Sequence, residues 1–539
     1  MKSPALALAL LAGTALGGIG STPAAAFDLT ILHINDFHSR MEPINKYDGP
    51  CSAKEAEEKA CFGGIARIAS AVAAERAAAG STPVLLVDAG DQSQGSLFYT
   101  FYRDKDSAEF MNRIGFEAMA VGNHEFDDGV PVIQAFAGAV HFPMLMANAD
   151  LVREPALAAL VKPSTIVEKG GERIGLIGLT PRDNQELTAA GKSIDFTDPV
   201  EAARREAERL TSEGVTKIIL LSHSGYEEDK RLAAAVPGID AIVGGHSHTL
   251  LSSTDPKAAG PYPTLVKGPD GRDVPIVQAY AYSKYLGKIT LTFDEAGAVT
   301  KAEGAPILLD ASVLEDAGVK ARVAELAVPL EEIRSKVVAR AAAPIDGSRD
   351  TCRVGECAMG NLVADAILDR TKDQGVTIAI GNGGNVRASI DGGEITMGEI
   401  LTVLPFQNTL ATFQLTGADI VAALENGVSQ VEDTAGRFPQ VAGLQFDWSR
   451  KGTPGVDRVK AVRVKDAAGA FVPIDLAATY TVVSNNFLRG GGDGYKIFTE
   501  KGRNAYDYGP NMEDAVVAYL QAGGAAYAPY VDGRIREVE

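Results

Sequence analysis

The chain is predicted to be an α/β protein of two domains joined by a short helical segment. Three observations predict this. Its 539 residues exceed what one ordinary hydrophobic core supports. From Phe27 to about Ile307, short apolar runs alternate with amphipathic ones, the pattern of a largely buried sheet with helices packed on it. Five of the 7 histidines directly follow such apolar runs, and none lies beyond residue 248, so their chemistry belongs to the first half of the chain.

The apolar runs are Leu29 to Ile34, Val84 to Val87, Ala118 to Val121, Lys217 to Leu221 and Ala241 to Val243. Each is followed at once by a polar cluster: Asp36 and His38; Gly90 and Asp91; Gly122, Asn123, His124 and Glu125; Ser222 and His223; Gly245, His246 and His248. Parallel α/β sheets present ligands at the carboxyl ends of their strands, so the five clusters are expected to form one metal-binding rim. Gly64 to Ala79, Val200 to Glu213 and Asp229 to Ala235 read as the intervening helices. Val274 to Tyr280 and Leu286 to Phe293 read as strands of a second, more antiparallel layer. Residues 311–340 carry helical spacing and mixed charge around Pro329 and read as linker helices. Residues 341–539 begin a new unit, with glycine clusters at Gly381 to Asn385 and Gly490 to Gly494 between strand-like segments.

Seven side chains are candidate metal ligands: Asp36, His38, Asp91, Asn123, His223, His246 and His248. Their oxygens and imidazole nitrogens suit two divalent ions, zinc first, with manganese, cobalt or magnesium as alternatives. Asp91 is the natural bridge. Two ions roughly 3.5–4 Å apart can clamp the attacking and leaving oxygens of an in-line displacement and acidify a water. His124 and Asp127, three positions apart, form a candidate catalytic dyad in which the carboxylate orients the imidazole and raises its pKa. His33 and His141 read as structural.

Composition narrows the partners. A hydrophobic fraction of 46% fits a globular protein, and a net charge of −19 argues against a nucleic-acid polymer. Lys2, the apolar stretch Ala5 to Leu16 and the small residues ending at Ala26 follow the order of a secretory signal peptide, with 1–26 removed. The charged end from Gly533 to Glu539 offers no apolar tail for a lipid anchor. The expected location is the periplasm or the medium. Such a compartment favours two local disulfides, Cys51 with Cys61 and Cys352 with Cys357, although three pairings are formally open and the second pair could instead bind zinc.

The five clusters, in this order, resemble the calcineurin-like metallophosphoesterases. The stretches Leu85 to Gly95 and Ala120 to Gly129 narrow the resemblance to the 5′-nucleotidase family, which includes ecto-5′-nucleotidase and the periplasmic UDP-sugar hydrolases. The likeness covers essentially all of 27–539. It implies a four-layer α/β/β/α domain over 27–310, the linker, and a nucleotide-binding α/β domain over 341–539. Cys352 to Asn361 resembles the family's disulfide loop, which implies a phosphate contact for Arg353. Asn382 to Arg387 is similar to a second phosphate-facing stretch, implicating Asn382 and Arg387, beside Asn123 and His124. Leu404 to Phe406 and Asn486 to Asp493 are similar to the segments whose phenylalanines, here Phe406 and Phe487, sandwich the base, while Asp493 holds ribose hydroxyls. The loop from Cys51 to Cys61 resembles that of the animal ecto-enzyme.

His248 stands where family members often carry Gln or Asn, and Arg489 interrupts the base-binding segment. The further phosphate arginines of some bacterial members are without an assigned counterpart. The resemblance implies hydrolysis of AMP-like 5′-monophosphates by hydroxide activated at two metals, with closure of the domains. UDP-sugars, nucleoside diphosphates, cyclic nucleotides or another oxyanion ester are the alternative substrates. A periplasmic binding protein without catalysis is the non-enzyme alternative.

Overall fold

The computed structural model of the protein describes residues 1, 26–46, 48–182, 184, 193–406, 408–466, 469–506 and 509–539. The expected signal segment, 1–26, lies almost wholly outside the described residues. Among those residues, no helix is long and apolar enough to cross a membrane.

Two sheets build the N-terminal domain. A seven-stranded sheet runs in the order Val299–Leu308, Tyr285–Phe293, Phe27–Ile34, Val84–Asp88, Ala118–Ala120, Met144–Leu145 and Val161–Lys162. A six-stranded sheet runs in the order Thr264–Lys267, Asp273–Val277, Ala241–Gly244, Lys217–Ser222, Glu172–Leu179 and Ser164–Lys169. Between the sheets lies a core of inward residues from both, including Leu29, Ile31, Leu85, Val87, Ile219, Leu221 and Val243. The opposite face of the first sheet is covered by helices Ile65–Ala78, Lys105–Ile114 and Val130–Ala139. Pro199–Ser212 and Tyr226–Ala235 cover that of the second. This is the four-layer α/β/β/α order.

The expected separate antiparallel layer does not form. Tyr285–Phe293 joins the first sheet, antiparallel to Phe27–Ile34, and Asp273–Val277 joins the second, parallel to Ala241–Gly244. A buried strand carries the same apolar signature whichever sheet it joins, so its partner is not written in its pattern.

In the linker, helix Ala317–Ala327 packs on the N-terminal core through Val319, Val323 and Leu326. A 3-10 turn holds Pro329 at Val328–Leu330, and helix Glu331–Arg334 follows. Helical structure ends there, whereas it was expected to continue to residue 340. Val337–Ala341 is a strand paired with Gly393–Thr396 of the second domain, where β-branched Val337 and Val338 suit an extended backbone.

The C-terminal domain centres on a five-stranded sheet ordered Pro439–Ala442, Ile378–Asn382, Thr479–Asn485, Leu410–Thr416 and Arg503–Tyr506. Helices Ala358–Thr371 and Met512–Ala522 cover one face. On the other, Gly417–Gly427 and a four-stranded sheet built around Leu444–Trp448 bury Trp448 and Phe446. Ile378–Asn382 runs parallel to Thr479–Asn485, so the loops beginning at Asn382 and Asn486 leave the same sheet edge.

Candidate active site

Phe27–Ile34, Val84–Asp88 and Ala118–Ala120 are mutually parallel, and so are Lys217–Ser222 and Ala241–Gly244. Their carboxyl ends converge, so the single rim expected from the sequence is built where two sheets meet. Asp36, His38, Asp91, His246 and His248 all have left-handed backbones, with φ of 50°, 51°, 61°, 68° and 52°. Such conformations cost roughly 1–3 kcal/mol each in a non-glycine residue and persist only where the surroundings enforce them. Five of the seven expected ligands pay this cost at one place. Gly122 makes the close approach tolerable: a Cβ there would lie 2.2 Å from Asp91 Oδ1.

Asp36, His38 and His248 form one group of converging donor atoms, and Asp91, His223 and His246 a second. His248 Nε2 lies 3.3 Å from Asp36 Oδ1 and 3.1 Å from His38 Nε2. Asn123 Oδ1 joins the second group, 2.8 Å from His246 Nδ1. Asp91 Oδ2 sits between the groups, 3.0 Å from His223 Nε2 and 3.8 Å from His38 Nε2. His223 Nδ1 donates to the Ala89 carbonyl at 2.7 Å and His38 Nδ1 to that of Ser93 at 3.1 Å, which turns both Nε2 lone pairs toward the centre.

The donor chemistry fits divalent ions. Burial holds His38, His246 and His248 well below the usual imidazole pKa, hence neutral. Burial pushes Asp91 up, but His223, itself raised to about 10 against burial by Asp91, and His124 outweigh it and keep the carboxylate ionised, so an ion at His223 Nε2 would take the place of that proton. Neutral imidazoles and ionised carboxylates are the forms that bind metal. Buried His223 Nε2 is aimed at Asp91 Oδ2 from 3.0 Å and has no other partner, the placement of a ligand atom that would share an ion with that carboxylate.

His124 is set apart. Its Nδ1 lies 2.6 Å from Asp127 Oδ2. Burial alone would lower its pKa, but Asp127 and Asp91 together raise it above the ordinary value. Its backbone N–H also donates to Asp91 Oδ1 at 2.9 Å. The dyad and the rim therefore share one frame.

Glu125 is a functional residue that sequence reasoning missed. Its carboxylate is buried and accepts from the backbone N–H groups of Gln92 and Gly122 at 2.8 and 2.7 Å, and of Ser93 and Asp91 at 3.1 and 3.2 Å. It ties the Asp91 loop to the Asn123 loop. The readable signal was a glutamate reaching back three residues to Gly122, the reciprocal half of a capping box.

The C-terminal wall faces this rim. Helix Arg349–Cys352 and the Cys352–Cys357 disulfide present Arg353; the second local pair, Cys51–Cys61, is also bonded. Arg387 Nη2 reaches His38 Nε2 at 3.0 Å. The Phe406 ring stacks on His124 with centroids 5.6 Å apart, and Arg387 lies 5.6 Å from the Phe406 centroid. Asn382 donates to Asp493 at 2.7 Å, so it braces that carboxylate as well as facing the cavity. Phe487 lies over Gly492, where a Cβ would come within 2.5 Å of the ring. Arg489 turns from the site, donating to the Phe498 carbonyl at 3.0 Å beneath the Phe413 ring.

A cavity of 910 Å³ is lined from one side by Asp91, Asn123, His124, Asp127, His246 and His248, and from the other by Arg353, Asn382, Arg387, Phe406, Phe487 and Asp493. Asp36, His38 and His223 lie fully buried beneath it. Arg349, missed in the sequence, also lines it. Its spacing of four from Arg353 put both on one face of a helical turn. Burial and repulsion from neighbouring arginines, Arg349 and Arg387 for Arg353 and Arg387 for Arg349, pull both guanidinium pKa values down. Three arginines facing one cleft are what a doubly charged oxyanion would neutralise.

Fold and site together define a metal-dependent phosphoester hydrolase. Residues 29–250 match the calcineurin-like phosphoesterase family and residues 337–500 the 5'-nucleotidase C-terminal domain. The chain is 37% identical over 556 residues to snake venom 5'-nucleotidase of Gloydius brevicauda, covering 99% of this chain and 93% of that protein. It is 37% identical over 541 residues to 5'-nucleotidase of Homo sapiens, covering 97% and 93%. The crystal structure of a 5'-nucleotidase precursor from Thermus thermophilus superposes with a TM-score of 0.89 at 41% identity, covering 95% of this chain and 99% of that one. The chain belongs to the 5′-nucleotidase family.

Proposed function

We propose that the protein is an exported enzyme that hydrolyses nucleoside 5′-monophosphates to nucleoside and inorganic phosphate, with two metal ions on the rim. The observation that carries this reading is the shared cavity, with metal-ligand chemistry on one wall and arginines and aromatic rings on the other. Asp36, His38, Asp91 and His248 would hold one ion, and Asp91, Asn123, His223 and His246 the other, with zinc the first choice. Bound there, the ions supply an acidified water and a Lewis acid at the phosphoryl oxygens.

Arg349, Arg353 and Arg387 grip the phosphate and neutralise its charge. Phe406 and Phe487 offer ring faces to the base, and stacking tolerates several bases. Asp493, braced by Asn382, accepts the ribose hydroxyls. His124, with Nδ1 occupied by Asp127, donates from Nε2 to a phosphoryl or leaving oxygen. The contacts of Arg387 with His38 and of Phe406 with His124 join the two domains, which supports a cycle in which the domains close on substrate and rotation about the 311–340 linker releases product.

Phosphate release from AMP, UMP, ADP, UDP-glucose and cyclic AMP, with and without chelator, tests the reading. AMP and UMP are expected to turn over fastest, and chelator to abolish release. Chelator-insensitive release, or none from any monophosphate, would overturn it. Undiminished turnover after cross-linking the domains would sink the closure step. A second reading extends the substrate to a nucleoside diphosphate or nucleotide sugar. The cavity continues past the rim to Arg182, 3.7 Å from Asp198, and to Arg231, which donates to Glu228 at 2.7 Å.

A further inference from the structure

A second and smaller cavity of 40 Å³ shares no lining residue with the substrate cavity. Its walls come from three parts of the chain: Ser39 to Ile44 and Ser96 to Phe98 of the first domain, Arg334 of the linker, and Gly398 and Thr402 of the second domain. It therefore sits on the seam between the two domains. Two of its lining side chains are unusual. Arg40 is 4% exposed, and its Nε, Nη1 and Nη2 are all without a hydrogen-bond partner. Ser39 is 1% exposed, and its Oγ is likewise without one. The Arg40 guanidinium rests 4.9 Å from the Tyr282 centroid, and that ring also contacts those of His38 and His248.

Charge decides what fits. Arg334 lies 2.7 Å from Glu42, so that pair cancels. The Thr402 hydroxyl donates to Gly398 within its own helix. Asp48 and Arg387 act on Arg40 from beyond hydrogen-bond range, and Lys284 lies 3.4 Å from Asp48 and shares its charge, so one positive charge is left, with donors from a guanidinium and a hydroxyl. Water could satisfy the hydrogen bonds but not the buried charge, which needs a counter-charge. The small volume and the single charge exclude a nucleotide and suit a small ion.

We propose that this cavity binds one small monovalent anion of the halide class, held by Arg40 and Ser39, at the seam between the domains.

The test uses the full metal-loaded protein. Crystals grown in bromide are expected to show one anomalous peak beside Arg40 and Ser39. Replacing gluconate by about 100 mM chloride at fixed ionic strength should raise the melting temperature saturably, by on the order of 2 °C. Arg40→Met should lose both the peak and the chloride response. Should that variant fail to fold, Ser39→Ala should shift the saturation midpoint to higher chloride. Only water density in the bromide crystals, equal melting in chloride and gluconate, or an unchanged response in either variant would overturn the proposal.

Discussion

The two walls of the active cavity are built on opposite principles. On the N-terminal wall, five ligand residues hold left-handed backbones, imidazoles are fixed by carbonyl acceptors, and Glu125 pins the loops with four backbone hydrogen bonds. On the C-terminal wall, long arginines and ring faces come from helix Arg349–Cys352, from the segments after Ile378–Asn382 and Met397–Val403, and from helix Asn486–Arg489. The first wall holds its donor atoms in a frame of backbone hydrogen bonds. The second is a set of charges and planes whose value depends on what lies opposite. The division matches the chemistry: ions demand fixed donors, while a base and a phosphate tolerate a softer grip.

The sharpest way to break this comparison is to remove the residue shared by both ligand groups. Asp91→Ala should lower AMP turnover on the order of 10⁴-fold and reduce bound metal below two ions per chain by elemental analysis. Full metal content with normal turnover would mean that Asp91 is not the bridge. His124→Ala probes chemistry without ligation. Turnover should fall roughly 10²–10⁴-fold at near-constant KM and metal content. Loss of metal would place His124 among the ligands instead.

Phe487→Ala probes the soft wall. Removing one stacking face should raise KM for AMP by roughly 5- to 150-fold, the equivalent of about 1–3 kcal/mol, with kcat nearly unchanged. A fall confined to kcat would show that this ring orients the reaction instead.

The smallest effect belongs to a buried charge that serves only the fold. Asp240, beside the Ala241–Gly244 strand, accepts from Ile218 N–H at 2.8 Å, and burial pushes its pKa up to about 7. The folded state therefore holds this proton to higher pH than the unfolded state. Its contribution is full below the ordinary carboxylate pKa and is lost as pH rises toward 7. Asp240→Asn should flatten the fall in melting temperature between about pH 4 and pH 7, leaving AMP turnover unchanged. An identical pH profile for variant and parent would remove Asp240 as the source.

The first wall was largely legible in the sequence. Asp36, Asp91, Asn123, His223 and His246 each sit just past an apolar run, so one local rule collected them. That they straddle two sheets was not legible, because a strand's apolar pattern does not name its neighbour. The second wall was read from resemblance, residue by residue, through Arg353, Arg387, Phe406 and Phe487. Arg349 escaped because an arginine on a short helix is ordinary until three of them are seen facing one cavity. Glu125 escaped because its role consists of backbone N–H groups brought from another loop. Arg40 escaped because nothing beside Ser39 in the chain announces a buried guanidinium.

By itself the sequence determined the α/β alternation, the kinds of donor atom at the strand ends and the family resemblance. Each of these is carried by local order: periodicity, a residue type and its place after a strand. Tertiary structure alone decided that two sheets share one rim, that Asp91 lies between the ligand groups, and that arginines and rings from the second domain face His38 and His124. These are contacts between residues hundreds of positions apart. They are set by packing and strand pairing, which no local pattern records.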